Sequence, residues 1–410
     1  MPNTLITPSV IAKEALFQLE NNCILGDKVH RDYKQEFRKV GDTVSIRRPV
    51  KFVTSDGATR QNQDVNESSV PITLNQRKHV SWEFSSQELT LDIEEYSERY
   101  IKPAMITLAN TIDRFVATIG ARGFPNIVGT PGTTPSDFQA LSDVAQRMDE
   151  LAVPEDGRRC LVLDSNARWA LANGLGGAGS GGLFNANMVQ EMTRRGFLGR
   201  LATMEIFGDQ NIERHQWGVG GGTPLLAGAM TNEDATIAID GVANTAAWAR
   251  AGDVITIAGV NDVNPISKQD TGRLKEFVVT ADATSAGGVV TLSISPTPND
   301  GSTASTAAEQ NCTALGLDNA AVLFAAGIGT TPASAVYPQN LAFHRNALAL
   351  VTAPLELPHS AEFKARADWR GYSIRVVKDY DINNDVDIIR LDVLYGCAAI
   401  YPELGVRLTG

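Results

Sequence analysis

The order of three differently patterned segments most constrains what this chain can fold into. A charged, strand-like stretch at residues 44–84 leads almost directly into a helical stretch at residues 93–119. A Gly-, Thr- and Ala-rich segment, residues 223–337, then separates two mixed regions, and the second ends in residues 391–408. An extended hairpin, a long helix and an inserted β module favour a subunit that reaches its neighbours over an enzyme.

Length and composition predict a folded protein of two or three domains. A chain of 410 residues is too long for one ordinary core. With 43% hydrophobic and 20% charged residues it can bury an interior and is not disordered as a whole. The net charge of −11 argues against a general nucleic-acid binder, although it leaves room for local basic patches.

The four cysteines indicate the compartment. Cys23, Cys160, Cys312 and Cys397 lie far apart and form no CxxC pair, which predicts buried free thiols in a reducing compartment. No segment has the length and hydropathy of a transmembrane helix. Residues 1–19 lack the basic start and apolar run of a secretory signal. We therefore expect a protein made in a cytoplasm, with no membrane partner.

The first part of the chain predicts a short helix and then an arm. Residues 8–20 have an amphipathic helical pattern with Ser9 as N-cap. A free helix of this length is marginal in water, so it docks either on its own body or on another chain. Residues 44–84 alternate as two strands around a polar tip at residues 54–67, which predicts a long two-stranded arm. Such an arm needs a partner surface; an ordinary mobile loop in one sheet is the alternative.

Two longer helices are predicted next. Apolar side chains recur at spacings of three and four in residues 93–119, which predicts a helix. The regular helix is expected to begin near Pro103, because proline is tolerated in a first turn. Residues 135–151 form the second helix, with Ser136 as N-cap. A buried strand at residues 160–163 follows.

Residues 223–337 predict a small barrel or sandwich. Short strands in this segment are separated by Gly, Asp and Asn turns, and their spacing fits either fold. The predicted strands are residues 236–239, 254–257, 277–280 and 289–294.

The glycine run at residues 174–179 matches a dinucleotide-binding GxGxxG only in spelling. That fingerprint needs a preceding strand, a following helix and an acid about 20 residues on. Here a helix capped by Ser165 precedes the glycines, residues 180–182 prolong the run, and Glu191 comes earlier than the expected acid. A flexible loop explains the run better than a dinucleotide site.

No other motif predicts catalysis, a cofactor or a metal. The five histidines form no HxxxH or HExxH pair, and His215 and His344 are expected at the surface or in hydrogen bonds. The acidic residues at 379–387 lack the Glu and Gly spacing of a calcium loop. No GxSxG or P-loop sequence occurs. We therefore expect a protein that is not an enzyme; a β-rich binding protein, such as a tail or adhesin component, is the alternative.

Three segments resemble P22-type phage coat proteins. Residues 340–351, NLAFHRNALALV, resemble the stretch that follows the inserted domain in that family. Residues 250–260 resemble a strand region within the inserted domain, and residues 392–402 resemble the closing strand. Their order, after a hairpin and a long helix, extends the resemblance over nearly the whole chain.

The resemblance implies the α+β HK97-like capsid fold, with an extended loop, a long spine helix and an inserted small β-barrel domain. One departure is the approach to the insert, residues 220–233, which is short and has few charges, where some relatives have a longer charged loop that contacts a neighbouring subunit. The implied divisions are the N-terminal arm (1–43), the extended loop (44–92), the peripheral domain with the spine helix (93–133), the axial domain (134–222), the inserted barrel (223–337) and a return to the axial and peripheral domains (338–410).

The resemblance also implies the function and the partners. A major capsid protein assembles into hexamers and pentamers of an icosahedral head, T=7 being one geometry open to it, and encloses double-stranded DNA without sequence specificity. A scaffolding protein and a portal are the implied partners. Such a chain assembles in the host bacterial cytoplasm and resides in the virion.

Six residues are predicted at contacts between subunits. Four are cations on the extended loop of a strongly acidic chain, so we expect them to pair with acidic residues of adjacent subunits. A solvated face is the alternative, because an exposed ion pair contributes only about 0–1 kcal/mol. Two are apolar residues of the N-terminal helix. The six are Arg47, Arg48, Lys51, Arg60, Leu16 and Leu19.

Overall fold

The computed structural model describes most of the chain, with gaps. The described residues are 8–31, 43–48, 50–52, 57, 69–85, 100–176, 198–303, 306–325, 327–359, 361, 363–382, 384 and 386–410. They form two compact units, which are described separately. The first unit takes residues 1–46, 69–116 and 348–400, and the second takes residues 47–68, 117–347 and 401–410.

Helices and strands alternate in an α+β order. The α-helices are α1 (Pro8–Asn22), α2 (Leu25–Lys28), α3 (Lys102–Gly123), α4 (Phe138–Glu150) and α5 (Ser165–Gly176). The first ten strands are β1 (Thr43–Arg47), β2 (Ser69–Thr73), β3 (Gln76–Ser85), β4 (Asn126–Val128), β5 (Arg159–Leu163), β6 (Arg200–Leu201), β7 (Met204–Gly208), β8 (Arg214–Gln216), β9 (Gly222–Leu226) and β10 (Thr236–Val242). The others are β11 (Val254–Val263), β12 (Asp270–Val279), β13 (Val290–Ser295), β14 (Val322–Phe324), β15 (Val336–His344), β16 (Leu348–Ala353), β17 (Phe363–Trp369), β18 (Tyr372–Asp381), β19 (Val386–Ala399) and β20 (Gly405–Thr409).

The first unit is built on a five-stranded sheet in which β19 is the common partner. The strand order is β16-β19-β18-β17, and β3 also pairs with β19 in antiparallel register from Gln76↔Tyr395 to Ser85↔Val386. The prediction of one long two-stranded arm over residues 44–84 is therefore wrong for its last strand. Pairing with β19 satisfies the backbone of β3, which an isolated hairpin could not do in water. β1 and β2 form a separate two-stranded sheet, and most of the predicted tip, residues 54–67, lies outside the described residues.

The N-terminal helix α1 docks on its own body. It packs against β17 and β18, and its apolar stripe is buried there. Of the two alternatives for this helix, docking within the subunit is the one observed. Ser9 lies inside α1 rather than before it, because the helix already begins at Pro8.

The long helix α3 begins at Lys102, so the predicted start near Pro103 is confirmed. Proline fits there because the first turn of a helix does not use its backbone N–H groups within the helix. Residues 93–99, the first part of the predicted helical stretch, lie outside the described residues. Apolar side chains spaced three and four apart, including Met105, Ile112 and Val116, are buried.

The second unit contains a seven-stranded sheet. Its order is β4-β20-β15-β5-β7-β6, and β8 pairs with β15. The β4–β20 and β5–β7 pairs are parallel and the other pairs are antiparallel. The helices α4 and α5 share a core with this sheet, formed by residues such as Leu141, Leu161 and Leu171.

Two details of these helices differ from the sequence prediction. Asp137, rather than Ser136, is the N-cap of α4, and its carboxylate accepts a hydrogen bond from the backbone N–H of Ala140. The helix α5 continues to Gly176, so the glycine run begins inside a helix. A Cβ at Gly174 would lie 1.6 Å from the carbonyl oxygen of Ser136, so close packing explains this glycine. Residues 177–197 lie outside the described residues.

The inserted segment forms an antiparallel barrel. Its six strands follow the order β14-β11-β12-β13-β10-β9, and a bridge between Leu225 and Ala321 closes the sheet. Large side chains such as Trp248, Phe277 and Ile239 fill the interior. The predicted α+β fold with an inserted small β-barrel is therefore confirmed.

Candidate functional site: the attachment of the barrel and the root of the extended loop

The chain enters and leaves the barrel through two adjacent strands. β8 pairs with the start of β15, from Gln216↔Val336 to Arg214↔Pro338. We call these paired strands the neck. Next to it, the rings of Trp217 and Trp248 both pack against the ring of Phe324.

A buried carboxylate ties the neck to the barrel. The Oδ1 atom of Asp253 lies 2.7 Å from Nε2 of His215, and its Oδ2 atom accepts hydrogen bonds from the backbone N–H groups of Gly218 (3.1 Å) and Arg250 (2.7 Å). His215 is only 4% exposed, so of the two predicted settings the hydrogen-bonded one is correct. His344 is likewise buried, with Nε2 3.0 Å from Oδ1 of Asp156.

A second attachment joins the barrel to the end of α4. Nη2 of Arg147 lies 2.8 Å from Oδ2 of Asp262 on β11 and 3.4 Å from Oε2 of Glu276 on β12. The same nitrogen donates to Oδ1 of Asn126 on β4 at 3.0 Å, and Nη1 lies 3.4 Å from Oε2 of Glu150. One guanidinium therefore connects α4, β4 and both strands of the β11–β12 ribbon.

Further polar contacts complete this attachment. Nζ of Lys275 lies 2.8 Å from Oδ1 of Asp262, and the backbone N–H of Ile127 donates to Oε2 of Glu276 at 3.1 Å. Asn264, in the turn after β11, donates to the carbonyl oxygen of Glu150 at 2.8 Å. That carbonyl belongs to the last turn of α4, where no helical partner is available. We define the ionic seam as Asn126, Arg147, Glu150, Asp262, Lys275 and Glu276.

Burial and neighbouring charges shift the pKa values of Arg147 and Glu276 in the ionic seam. Burial lowers the pKa of Arg147, but the carboxylates of Glu276 and Asp262 outweigh it and hold that pKa above its ordinary value. Burial raises the pKa of Glu276, and the Asp262 carboxylate adds to this effect despite the opposing Arg147 charge. Arg147 pairs with the carboxylates of Glu150, Asp262 and Glu276, whereas Lys275 pairs with Asp262 and Arg273 with Glu150. Removing Arg147 would therefore leave buried carboxylates without their main counter-charge.

A buried arginine near the end of the chain makes a third connection. Nη1 of Arg407, on β20, donates to the carbonyl oxygens of Ala121 in α3 and of Gly252, which lies just before β11 of the barrel. Burial lowers the pKa of Arg407 to about 10. Gly252 has φ = +103°, a conformation that favours glycine, and it brings its carbonyl oxygen to this arginine.

The beginning of the extended loop packs on the same unit. The guanidinium of Arg48 lies 5.7 Å from the centre of the Tyr401 ring, and Nζ of Lys51 lies 3.3 Å from Oε1 of Glu403. Burial raises the pKa of Glu403, but the charges of Lys51 and Arg48 prevail and lower it. These residues line a cavity of about 290 Å³ together with Asp262 and other barrel residues. We call Arg48, Lys51, Tyr401 and Glu403 the loop root.

The six predicted interface residues have different settings. Arg47 is exposed at the end of β1, Arg48 and Lys51 lie at the loop root, and Arg60 lies outside the described residues. Leu16 and Leu19 are buried within the subunit, at 5% and 0% exposure. No neighbouring subunit is present to test contacts, so the role of these residues at subunit interfaces stays a prediction.

The ionic seam was not predicted from the amino-acid sequence. Its signal was a cation on the apolar face of α4, where Arg147 falls between the buried residues Val144, Met148 and Leu151. A charge at such a position is almost never fully buried without a partner. The sequence could not identify the partners on the barrel, Asp262 and Glu276, which lie more than 100 residues further on.

Chemistry of other kinds is not indicated in the described ranges. There, no group of three or more His, Cys, Asp or Glu residues is placed to hold a metal ion. No described helix is both long enough and apolar enough to cross a membrane. None of the four cysteines forms a disulfide; Cys23, Cys160 and Cys312 are buried as expected, and Cys397 is only half-buried.

Comparisons with known proteins were made for the sequence and for the fold. The family model described as "P22 coat protein - gene protein 5" matches residues 3–410. No curated protein matches the chain. The solved structure described as Mycobacterium phage Che8 is 15% identical, with 94% of this chain and 90% of that chain covered and a TM-score of 0.47.

Two further solved structures are similar to the chain. The mature capsid of bacteriophage PhiM1 is 12% identical, with 94% of this chain and 86% of that chain covered and a TM-score of 0.44. The CUS-3 coat protein I-domain is 24% identical, with 26% of this chain and 96% of that chain covered and a TM-score of 0.20. The family match spans nearly all of the sequence. The chain therefore belongs to the P22 coat protein family, and it is a major capsid protein that forms the head of a phage.

Proposed function

We propose that the subunit forms hexamers and pentamers that close into an icosahedral shell around double-stranded DNA. The observation that carries this proposal is the coat protein family match over residues 3–410. The same weak contact is repeated across a symmetric shell, so a modest affinity per contact becomes a stable particle. A chain with net charge −11 encloses DNA without a general affinity for it. The role is structural rather than enzymatic.

Scaffolding and portal proteins are the proposed partners, and the cytoplasm of the host bacterium is the proposed place of assembly. Membership of the coat protein family supports both. The test is co-expression of this chain with the scaffolding protein of the same phage, followed by sedimentation. We expect particles that sediment far faster than a single subunit. Material that stays monomeric at every protein concentration would contradict the proposal.

The proposed division of the chain keeps the inserted barrel at residues 223–337. The barrel strands, from β9 to β14, support it, because they begin at Gly222 and end at Phe324. Under the same proposal, residues 1–43 form the arm, 44–92 the extended loop, 93–133 the peripheral domain, 134–222 the axial domain and 338–410 the return.

We propose that cations of the extended loop contact acidic residues of adjacent subunits. Arg47 is the described residue best placed for this role, because it is exposed at the end of β1. Arg48 and Lys51 already contact Tyr401 and Glu403 of their own subunit, so they hold the loop root. Their contribution to assembly would then be to set the direction in which the loop leaves the subunit.

Charge-reversal variants separate these two roles. Arg47→Glu should slow assembly, because it places an anion where the proposed contact with acidic residues of the adjacent subunit needs a cation. Lys51→Glu should lower the stability of the free subunit, because it breaks the ion pair with Glu403. Adding Glu403→Lys should restore that stability, because the pair then re-forms with its charges exchanged. Assembly of Arg47→Glu at the normal rate would refute the proposed role of Arg47.

We propose that the exposed side of α1 contacts the scaffolding protein. Phe17 is 58% exposed on this helix, whereas Leu16 and Leu19 face its own subunit. Deleting residues 1–20 would remove buried core as well as this surface, so Phe17→Ser is the sharper variant. We expect it to reduce co-assembly with scaffolding protein and to leave subunit stability within about 0.5 kcal/mol, as is usual for surface changes. Undiminished co-assembly would exclude Phe17 from the contact.

A further inference from the structure

The barrel is held to the seven-stranded sheet by more than its covalent connection. The neck consists of two short paired segments, and a domain attached only through such a neck could rotate about it. The ionic seam lies on other elements, at the end of α4, on β4 and on the β11–β12 ribbon. Attachments at separate places restrict rotation, because turning about the neck would have to break the ionic seam and the Arg407 contact with Gly252.

We propose that Arg147 is a positioning residue that locks the inserted barrel to the seven-stranded sheet, so that the two behave as one body in the subunit. Arg147 is 1% exposed, and its guanidinium contacts α4, β4, β11 and β12 at once. A planar guanidinium with several fixed donors can bind groups in different directions, which a lysine ammonium on a flexible stem does less well.

The other seam contacts cannot replace Arg147. Lys275 lies on β12 and pairs with Asp262 on β11, so this bond closes the ribbon on itself and does not reach α4 or β4. Arg273 reaches Glu150 from the ribbon at 3.1 Å, but its side chain is 40% exposed and the pair is correspondingly screened by water. Asn264 contributes one neutral hydrogen bond to α4. Among the seam residues, Arg147 is therefore the buried cation that joins the barrel to α4 and β4.

Loss of Arg147 should loosen the contact of the barrel with α4 and β4 without unfolding the barrel itself. Arg147→Met would leave the largely buried carboxylates of Asp262 and Glu276 with excess negative charge, and water entry there would relieve it. The interior of the barrel does not involve Arg147, since its core consists of residues such as Phe277 and Trp248. The effect should therefore be local.

Amide hydrogen exchange on the full chain tests this inference. In Arg147→Met, we expect amide exchange to rise at the end of α4, in β4, and in the β11–β12 ribbon near Asp262 and Glu276. The expected rise is at least about tenfold, equivalent to ~1.4 kcal/mol. Exchange in β10 and β13 should stay unchanged. Arg158→Met is the matched control, because Arg158 is 60% exposed and lies 3.7 Å from Asp156; it should change neither set.

Two outcomes would overturn the inference. Exchange that rises equally throughout the barrel and the sheet would show that Arg147 stabilises the fold without positioning the barrel. Unchanged exchange at the end of α4, in β4 and in the β11–β12 ribbon would show that the neck and the Arg407 contact hold the barrel without Arg147. If Arg147→Met does not yield folded protein, Arg147→Lys is the second variant, because it keeps the charge but lacks the planar set of guanidinium donors. Its amide exchange is measured at the same sites and decides between the same outcomes.

Discussion

Asp113 provides the sharpest test of how the N-terminal arm is attached to its own subunit. Its carboxylate, 1% exposed in α3, accepts hydrogen bonds from the backbone N–H groups of Ile24 (2.7 Å) and Gly26 (2.8 Å). Gly26 is also required for a close approach, because a Cβ there would lie 2.4 Å from the hydroxyl oxygen of Tyr372. The carboxylate thus fixes the turn between α1 and α2 against α3.

We expect Asp113→Ala to loosen this turn. A hydrogen bond to a charged acceptor contributes about 1.5–3 kcal/mol, so the loss of two should weaken the attachment by roughly 3–6 kcal/mol. Alanine is the best helix former, so the helix itself should not be weakened by the substitution. The change should therefore appear mainly in the arm.

Amide hydrogen exchange at residues 24–31 measures this effect. A loss of about 3 kcal/mol corresponds to a more than 100-fold rise in exchange there. Asp137→Ala is a suitable control, because it also removes a carboxylate that accepts from backbone, the N-cap of α4, but it lies in the other unit. It should cost about 0.5–2 kcal/mol without changing exchange in the arm. Unchanged exchange at residues 24–31 in Asp113→Ala would refute the reasoning.

Three further variants test other contacts. Gly174→Ala forces a Cβ against the carbonyl oxygen of Ser136, so we expect about 1–3 kcal/mol of destabilisation, seen as a lower urea midpoint. In urea unfolding, Glu276→Gln should lower the free energy of unfolding by less than Arg147→Met does. The raised pKa of Glu276 means that folding disfavours its charged form, so the neutral amide loses less. Burial, and then a neighbouring lysine, lower the pKa of Lys268 to about 8 from 10.5, so the folded state binds its proton less well than the unfolded state. Relative to Lys268→Met, the wild-type melting temperature should therefore rise between pH 8 and pH 10.5; a constant difference would contradict this assignment.

Local signals in the sequence identified many elements. The proline rule placed the start of α3 because a proline ring is compatible with the first helical turn. Alternation and turn residues located strands of the barrel, including β10 and β13, because those strands have one face in the core. Periodicity also found α4, although the cap was displaced by one residue, from Ser136 to Asp137.

Contacts between distant parts of the chain were beyond such signals. The strand β3 alternates as expected, but only the fold shows that its partner is β19. The ionic seam joins Arg147 to Glu276 across a separation that no local pattern records. Burial of His215 likewise depends on Asp253, a residue of the barrel. These features follow from the tertiary arrangement, in which each polar group had to find a partner before it could be buried.

Electron microscopy of particles purified after co-expression with scaffolding protein tests the central claim most directly. We expect closed shells with fivefold and sixfold capsomers, into whose subunit density the five-stranded sheet, the seven-stranded sheet and the barrel can each be fitted. Monodisperse single subunits, or open aggregates without capsomers, under conditions in which the chain is folded would contradict the claim that it builds a phage head.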